Sequence, residues 1–229
     1  MFETNGWDVL EFNHVDLLDI MGDDNSICDA ARVSFDKTAA NYSDDQNQGL
    51  LNYLARHDHW TPFAHQTMKF RFRAPIFVAR QFVKHTVGFV WNEVSRRYVD
   101  SDPWFYVPSE WRKRPENMKQ GSVAEGAVPV VGTDLEKKFV HKMREHARDY
   151  KDLRMSNVCP EQARMILPQN LMTEWIWTGS LMAWARFVKL RGDSHAQAEC
   201  WPYAEEVEWT IKTAFPKAAR ALFEQGEQA

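Results

Sequence analysis

Between Thr67 and Arg73 the apolar residues Met68, Phe70 and Phe72 alternate strictly with the cations Lys69, Arg71 and Arg73. A period of two suits a strand with one face buried and the other polar, and it cannot be wound into an amphipathic helix. The chain must therefore build a sheet with an apolar cover on one face. With 229 residues, about 26.8 kDa and 44% hydrophobic residues, it has material for one sizeable core, and the reading is a single domain over residues 1–229.

The remaining elements follow from apolar spacing. Asn25 to Asp36 opens with small residues and runs into Ala30-Ala31-Arg32-Val33-Ser34-Phe35, and Gln46 to His57 carries Leu50, Leu51 and Leu54 at helical spacing. Thr61-Pro62-Phe63 reads as a turn before the strand. Pro75 suits the first turn of a helix reaching about His85. Ser101 to Asp134 has loop-like composition without periodicity. Leu135 to about Met155 is helical, as is Glu161 to Leu167 after a turn at Cys159-Pro160. Leu171 to Leu190 is apolar nearly all round, the pattern of a central buried helix. Ser194 with Gln197 resembles a capping box, and Pro202 would kink the helix that follows. Strands come early and helices late, which gives an α+β class.

Charge and cysteine content narrow the function. A formal net charge of −4 disfavours a surface built to clamp nucleic acid, and Trp111-Arg112-Lys113-Arg114-Pro115 reads as a solvated loop. Cys28, Cys159 and Cys200 cannot pair completely and lack C-x-x-C spacing, so neither a disulfide scaffold nor a structural zinc site is expected. Cys159 at a helix start is the one with nucleophile character; ordinary packing is the plainer reading of all three. His57, His59 and His65 are interrupted by Pro62 and Phe63, and no acidic or cysteine ligand stands out at a metal-site spacing, so polar packing or cofactor contact is expected rather than a metal. Met1 to Asn5 lacks signal-peptide character, and no apolar run is long enough to span a bilayer; the expectation is a soluble cytoplasmic protein.

The segment Arg80 to Tyr98 is unlike a solvated face. Arg80, Lys84, Arg96 and Arg97 lie with the amides Gln81 and Asn92 and with His85, Glu93 and Ser95, around the apolar turn Gly88-Phe89-Val90-Trp91. Arginine meets phosphate bidentately, each charge-assisted bond being worth roughly 1.5–3 kcal/mol. Trp91 or Tyr98 could cover a ring whose edges Asn92 and Glu93 read. The residues alone point to a nucleotide or similar anionic heterocycle.

Ala74-Pro75-Ile76-Phe77-Val78-Ala79-Arg80-Gln81, followed by Asn92 to Tyr98, resembles the signature region of flavin-dependent thymidylate synthases. Ala30 to Phe35 and His59-Trp60-Thr61-Pro62-Phe63-Ala64-His65 resemble that family's N-terminal blocks, and Leu190 to Glu199 its C-terminal block, all in family order. The resemblance implies a homotetramer with FAD at subunit interfaces, in which NADPH reduces FAD and methylenetetrahydrofolate supplies one carbon to dUMP. It places dUMP on Gln81, Lys84, Glu93, Val94 and Ser95, with Arg96, Arg97, Arg164 and Arg191 as its cations; Arg97 and Arg164 lead for the phosphate. FAD would contact Ser34, Thr61, Lys84, His85 and Thr86, and further Asn92, Glu93, Arg186 and His195. His59 and Tyr98 would lie toward the folate. Arg191 matches the family's activating arginine, a fixed cation that stabilises the charged pyrimidine.

The chain departs from the pattern in places. Lys84-His85-Thr86 replaces Arg-His-Arg, the spacing to Ser95 is one residue longer, and Ser180 and Met182 stand where the family commonly has an amide and an arginine. Three other readings stay open: a cysteine-dependent methylase, a nucleotide-binding protein without activity, and a relative that transfers hydroxymethyl or takes another pyrimidine nucleotide.

Overall fold

The stretch from Thr67 to Pro75 forms the strand its alternation predicts: Met68, Phe70, Phe72 and Ala74 are buried, while Lys69, Arg71 and Arg73 keep partial exposure. The computed structural model describes residues 14–99, 101–114, 116, 122–129 and 132–224. Met1 to Asn5, Pro115 and Gly121, on which parts of the sequence reading rest, lie outside the described residues.

In chain order the elements are β1 (His14–Met21), α1 (Asp24–Arg32), α2 (Asp44–Arg56), α3 (Thr61–Ala64), β2 (Thr67–Pro75), α4 (Ile76–Phe82) and β3 (Phe89–Glu93). There follow β4 (Glu110–Lys113), β5 (Val123–Pro129), α5 (Asp134–Met155), α6 (Pro160–Ala163), β6 (Met172–Ser180), α7 (Leu181–Arg191), α8 (Trp201–Ala214) and α9 (Pro216–Phe223). One sheet has the order β1-β2-β6-β3, and β4 pairs with β5. The fold class is α+β, as expected, although β6 is a late strand inserted beside β2.

Contacts group the chain into two units. Among the described residues, the first takes in His14, Arg73–Lys84 and those of Asn92–Trp175; the second takes in Val15–Phe72, His85–Trp91 and Ile176 to Glu224. In the first, Phe105, Met143 and Leu171 form a core against Ile76, Phe139, Ala147 and Leu167. In the second, aromatic rings carry the core: Trp184 stacks on Phe72 with centroids 5.9 Å apart and meets Trp177 edge-on at 4.9 Å. Several of the ten tryptophans are thus spent on packing, and each such ring buries a large apolar area. The carboxylate of Asp24 on α1 accepts from the backbone N–H groups of Lys217 and Ala218 at 2.9 Å each, capping α9 from a distant part of the chain.

Several expectations are corrected. The segment Leu171 to Leu190 is not one helix but β6 followed by α7. In β6 only Trp175, Trp177 and Gly179 are buried, a period-two pattern that an all-apolar run conceals. Ser180 ends the strand and caps α7, its hydroxyl accepting from Ala183 N at 3.3 Å. Thr61-Pro62-Phe63 is the short helix α3, and α4 ends at Phe82 rather than near His85. The polar run after Gly88 begins as strand β3.

Ser101 to Asp134 contains the antiparallel pair β4 and β5, so Arg112 and Lys113 lie on a strand rather than in a solvated loop. The helix after Cys159 is shorter than expected: α6 gives way to a 3₁₀ turn at Arg164–Ile166. Ser194 does not cap the next helix, which begins at Trp201; Pro202 sits in its first turn, where no N–H is needed, and introduces no kink.

Candidate functional site

In the first unit, β3 delivers the polar run. Val94 N donates to Glu174 O at 2.9 Å, which extends the β3 pairing by one residue. Glu93 Oε1 accepts from the Thr173 hydroxyl at 2.7 Å. A turn follows, with Tyr98 N donating to Ser95 O at 2.9 Å. Inside it, the Ser95 hydroxyl accepts from Arg97 N at 3.3 Å and from Arg97 Nε at 3.4 Å. The Arg97 guanidinium lies 5.1 Å from the Tyr98 ring centroid and 3.6 Å from Glu161. Glu161 is on α6, and exposed Arg164 follows it by less than one turn, so Arg97 and Arg164 are brought to the same part of this unit.

Arg96 turns elsewhere: its guanidinium donates to the carbonyls of Ser101 and Asp102, tying down the following loop. Gln81 is half-buried on α4, and Lys84 is exposed just beyond it. Exposed Asn92 lies within β3, and Tyr98, beside the Arg97 guanidinium, is 77% exposed.

In the second unit, α7 is the organising element. It ends at Arg191, whose Nε donates to Nε2 of His85 at 3.0 Å. The loop bearing His85 and Thr86 is pinned to the start of α7, since Ser180 N donates to Gly88 O at 3.1 Å. Gly88 has φ +78°, and a Cβ there would come 3.0 Å from Ala183 Cβ; only glycine allows this turn to lie so close to the helix. Burial and the charge of Arg191 push the His85 pKa down from 6.5 to about 4, so the ring is neutral at physiological pH.

The other second-unit residues expected to meet FAD or the folate, Ser34, Thr61, Thr86, Arg186, His195 and His59, are exposed. Helix α3 packs against α1 and α7, placing Thr61 at its start beside the Trp60 ring, which lies 5.8 Å from the Arg186 guanidinium. Ser34 is in the 3₁₀ turn directly after α1. His195 follows α7 in a turn held by Asp193, which accepts from His195 N at 2.7 Å and faces the ring Nδ1 at 2.9 Å; these bonds keep the Asp193 carboxyl below its usual range. His59 packs near Tyr53, with ring centroids 5.8 Å apart, and Tyr53 meets His57 at 4.4 Å. In place of the family's amide and arginine, Ser180 is the helix cap and Met182 is buried.

Burial pushes the thiols of Cys28 and Cys200 up, the latter to about 12, leaving both protonated; Cys159 is exposed at the start of α6. Thr173, Glu174 and Glu161 had no signal in the sequence. Glu174 also accepts from Arg73 Nε, and these partners are brought together only by strand pairing and helix packing far along the chain. Among the described residues, no helix is long and apolar enough to cross a membrane.

The sequence model of the family described as thymidylate synthase complementing protein matches residues 16–217. A flavin-dependent thymidylate synthase of Thermus thermophilus is 38% identical over 221 residues, covering 95% of this chain and 77% of that one. The corresponding protein of Thermosipho africanus is 36% identical, covering 92% and 94%. Among solved structures, the UMP/dUMP methylase PolB of Streptomyces cacaoi bound with 5-Br dUMP superimposes with a TM-score of 0.81 at 28% identity, covering 94% of this chain and 96% of PolB.

Proposed function

The chain belongs to the flavin-dependent thymidylate synthase family, and from that premise we propose that it methylates dUMP to dTMP, with methylenetetrahydrofolate as carbon donor. FAD, reduced by NADPH, supplies the hydride that completes the methyl group when it is bound. The donor set fits such a cofactor. Ser34, Thr61 and Thr86 offer exposed hydroxyls and Arg186 an exposed cation, the chemistry that an anionic dinucleotide needs. With them, Lys84, His85, Asn92, Glu93 and His195 would hold FAD.

The chain's own residues then bind and polarise the substrate. Arg97 and Arg164 take the dUMP phosphate; Gln81, Lys84, Glu93, Val94, Ser95 and Arg96 surround the rest of the nucleotide. His59 and Tyr98 lie toward the folate. Arg191 stabilises negative charge on the pyrimidine as its C5 attacks the carbon donor. A donor fixed in advance costs no reorganisation at that moment, and this is where such a contact counts most. What carries the reading is the guanidinium of Arg191, anchored on an uncharged histidine at the end of the buried helix α7. Cys28 and Cys200 are protonated and buried, and the route requires no thiolate.

Residues 1–229 act as one catalytic domain, in a cytoplasmic homotetramer whose active sites draw on more than one chain. A second reading, that the enzyme also takes UMP, is supported by the superposition on a UMP/dUMP methylase. One experiment tests both. The purified protein with FAD is incubated with NADPH, methylenetetrahydrofolate and either dUMP or UMP, and the nucleotide product is weighed by mass spectrometry. A product one methyl group heavier than dUMP is expected. A hydroxymethyl product would replace the reaction proposed, and unchanged nucleotide in both arms would overturn it.

A further inference from the structure

His85 is expected to contact the flavin, yet its closest polar partner is Arg191. The Nε of an arginine carries one hydrogen and no lone pair to share, so across the 3.0 Å contact it can only donate. Nε2 of His85 is therefore the acceptor. An accepting ring nitrogen bears no proton, which places the single proton of the neutral imidazole on Nδ1.

The surroundings keep that form. The ring is packed edge-on by Phe187 at 5.3 Å, Trp177 at 6.3 Å and Phe89 at 6.4 Å, none of which carries charge. Beside Arg191, the Cys200 thiol is pushed up to about 12 by burial and stays protonated, and it feels the carboxylate of Glu199 as well as the guanidinium. Protonating His85 would bring a second positive charge against the guanidinium and remove the acceptor. Both effects are unfavourable in a half-buried site.

A guanidinium is planar. Fixing Nε fixes rotation of that plane about the side-chain axis, and with it the direction in which both terminal nitrogens point. We propose that His85 is a positioning residue for pyrimidine activation: its neutral, Nδ1-protonated ring holds Arg191 by Nε and sets the plane in which the guanidinium meets the substrate. The proposal deepens the role given to Arg191 above and rests on it. It also explains why the basic Lys84-His85-Thr86 segment keeps an uncharged ring at its centre.

The test compares wild type, His85→Leu, His85→Gln and Arg191→Ala as holoenzymes. Gln presents an amide oxygen near the position of Nε2 and can accept; Leu fills similar space and cannot. FAD is reduced chemically, the enzyme is mixed with dUMP and methylenetetrahydrofolate, and dTMP is followed through one turnover, with rates expressed per bound flavin. Misorienting a catalytic group can cost about a hundredfold, so Leu should lose ten- to a hundredfold at saturating dUMP while dUMP affinity changes much less. Gln should recover most of the loss.

Nitrogen NMR of the holoenzyme labelled in its histidine rings reads the protonation state directly; the ring signals absent from His85→Gln are those of His85. They should show a protonated Nδ1 and an unprotonated Nε2. A proton on Nε2, a Leu variant at the wild-type rate, or a Gln variant as slow as Leu would each overturn the proposal. Should Arg191→Ala itself turn over at the wild-type rate, the fault lies with the role given to Arg191, and the NMR result still decides whether His85 holds it.

Discussion

The hydroxyl of Thr173 donates to Oε1 of Glu93 at 2.7 Å, joining residues on neighbouring strands that lie 80 positions apart. Glu93 is expected to touch the nucleotide, so a hydroxyl that fixes its carboxylate also fixes its reach. Thr173→Val keeps the shape and removes the donor. The KM for dUMP should rise about three- to tenfold, while the melting temperature moves little, because the bond is exposed. Steady-state kinetics at varied dUMP check this.

Arg97 holds two anionic claims, Glu161 and the proposed phosphate. Arg97→Ala should weaken dUMP by about tenfold or more while affecting deoxyuridine far less, as titration calorimetry can measure. Glu161→Gln should act in the opposite sense. The pair is solvent-exposed and such pairs contribute about 0–1 kcal/mol, so dUMP should tighten by no more than about fivefold, with the gain shrinking in high salt.

Replacing Cys28, Cys159 and Cys200 together by Ala should leave dTMP formation largely intact. Cys28 and Cys200 fill buried space, so a loss of a few kcal/mol in stability is expected, read from denaturant unfolding. A folded, flavin-loaded variant without activity would favour a cysteine nucleophile.

The depressed pKa of His85 gives stability a definite pH dependence. Unfolded, the ring binds a proton below about 6.5; folded, it does so only below about 4. Between these values the unfolded chain holds more protons, so the contribution is fully present above pH 6.5 and is lost progressively as pH falls toward 4. His85→Gln removes the titrating group. The melting-temperature difference between wild type and this variant should therefore shift against wild type as pH is lowered through that window.

Gly179 in β6 leaves room for the ring of Phe89, since a Cβ there would stand 2.3 Å from Phe89 Cε1. The same ring lies 4.5 Å from Trp177 and 4.7 Å from Trp184. Gly179→Ala should therefore disturb the aromatic core and cost about 1–3 kcal/mol by overpacking. Thermal unfolding of the variant checks it.

What the sequence revealed depended on contrast between neighbouring residues. Around Lys69, Arg71 and Arg73 the alternation of charge and ring leaves only a strand. In Trp175-Ile176-Trp177 both faces are apolar, so the period is invisible and length favoured a helix; the β-branched and aromatic content was the available counter-signal. The β4 and β5 pair was hidden because cross-strand partners such as Trp111 and Val128 are matched by register, not by local pattern. For the site, Arg97, Glu93 and Arg191 were legible through the resemblance. Thr173 and Glu161 were not, because each acquires its role from a partner far away in the sequence. The tautomer proposed for His85 rests on the approach of Arg191 Nε, which only the fold brings about.

The cap that Asp24 places on α9 has a consequence for the order in which the molecule can be made. The carboxylate meets N–H groups 193 and 194 residues further on, and the unit containing both is assembled from three separate stretches of chain. Nothing translated before Lys217 can supply the missing donors. Until then water meets the Asp24 carboxylate, and closing so long a loop costs entropy before any contact repays it. This unit is therefore complete only once its first and last helices have met, and a chain halted before α9 would lack the donors to Asp24 however well its central strands had paired.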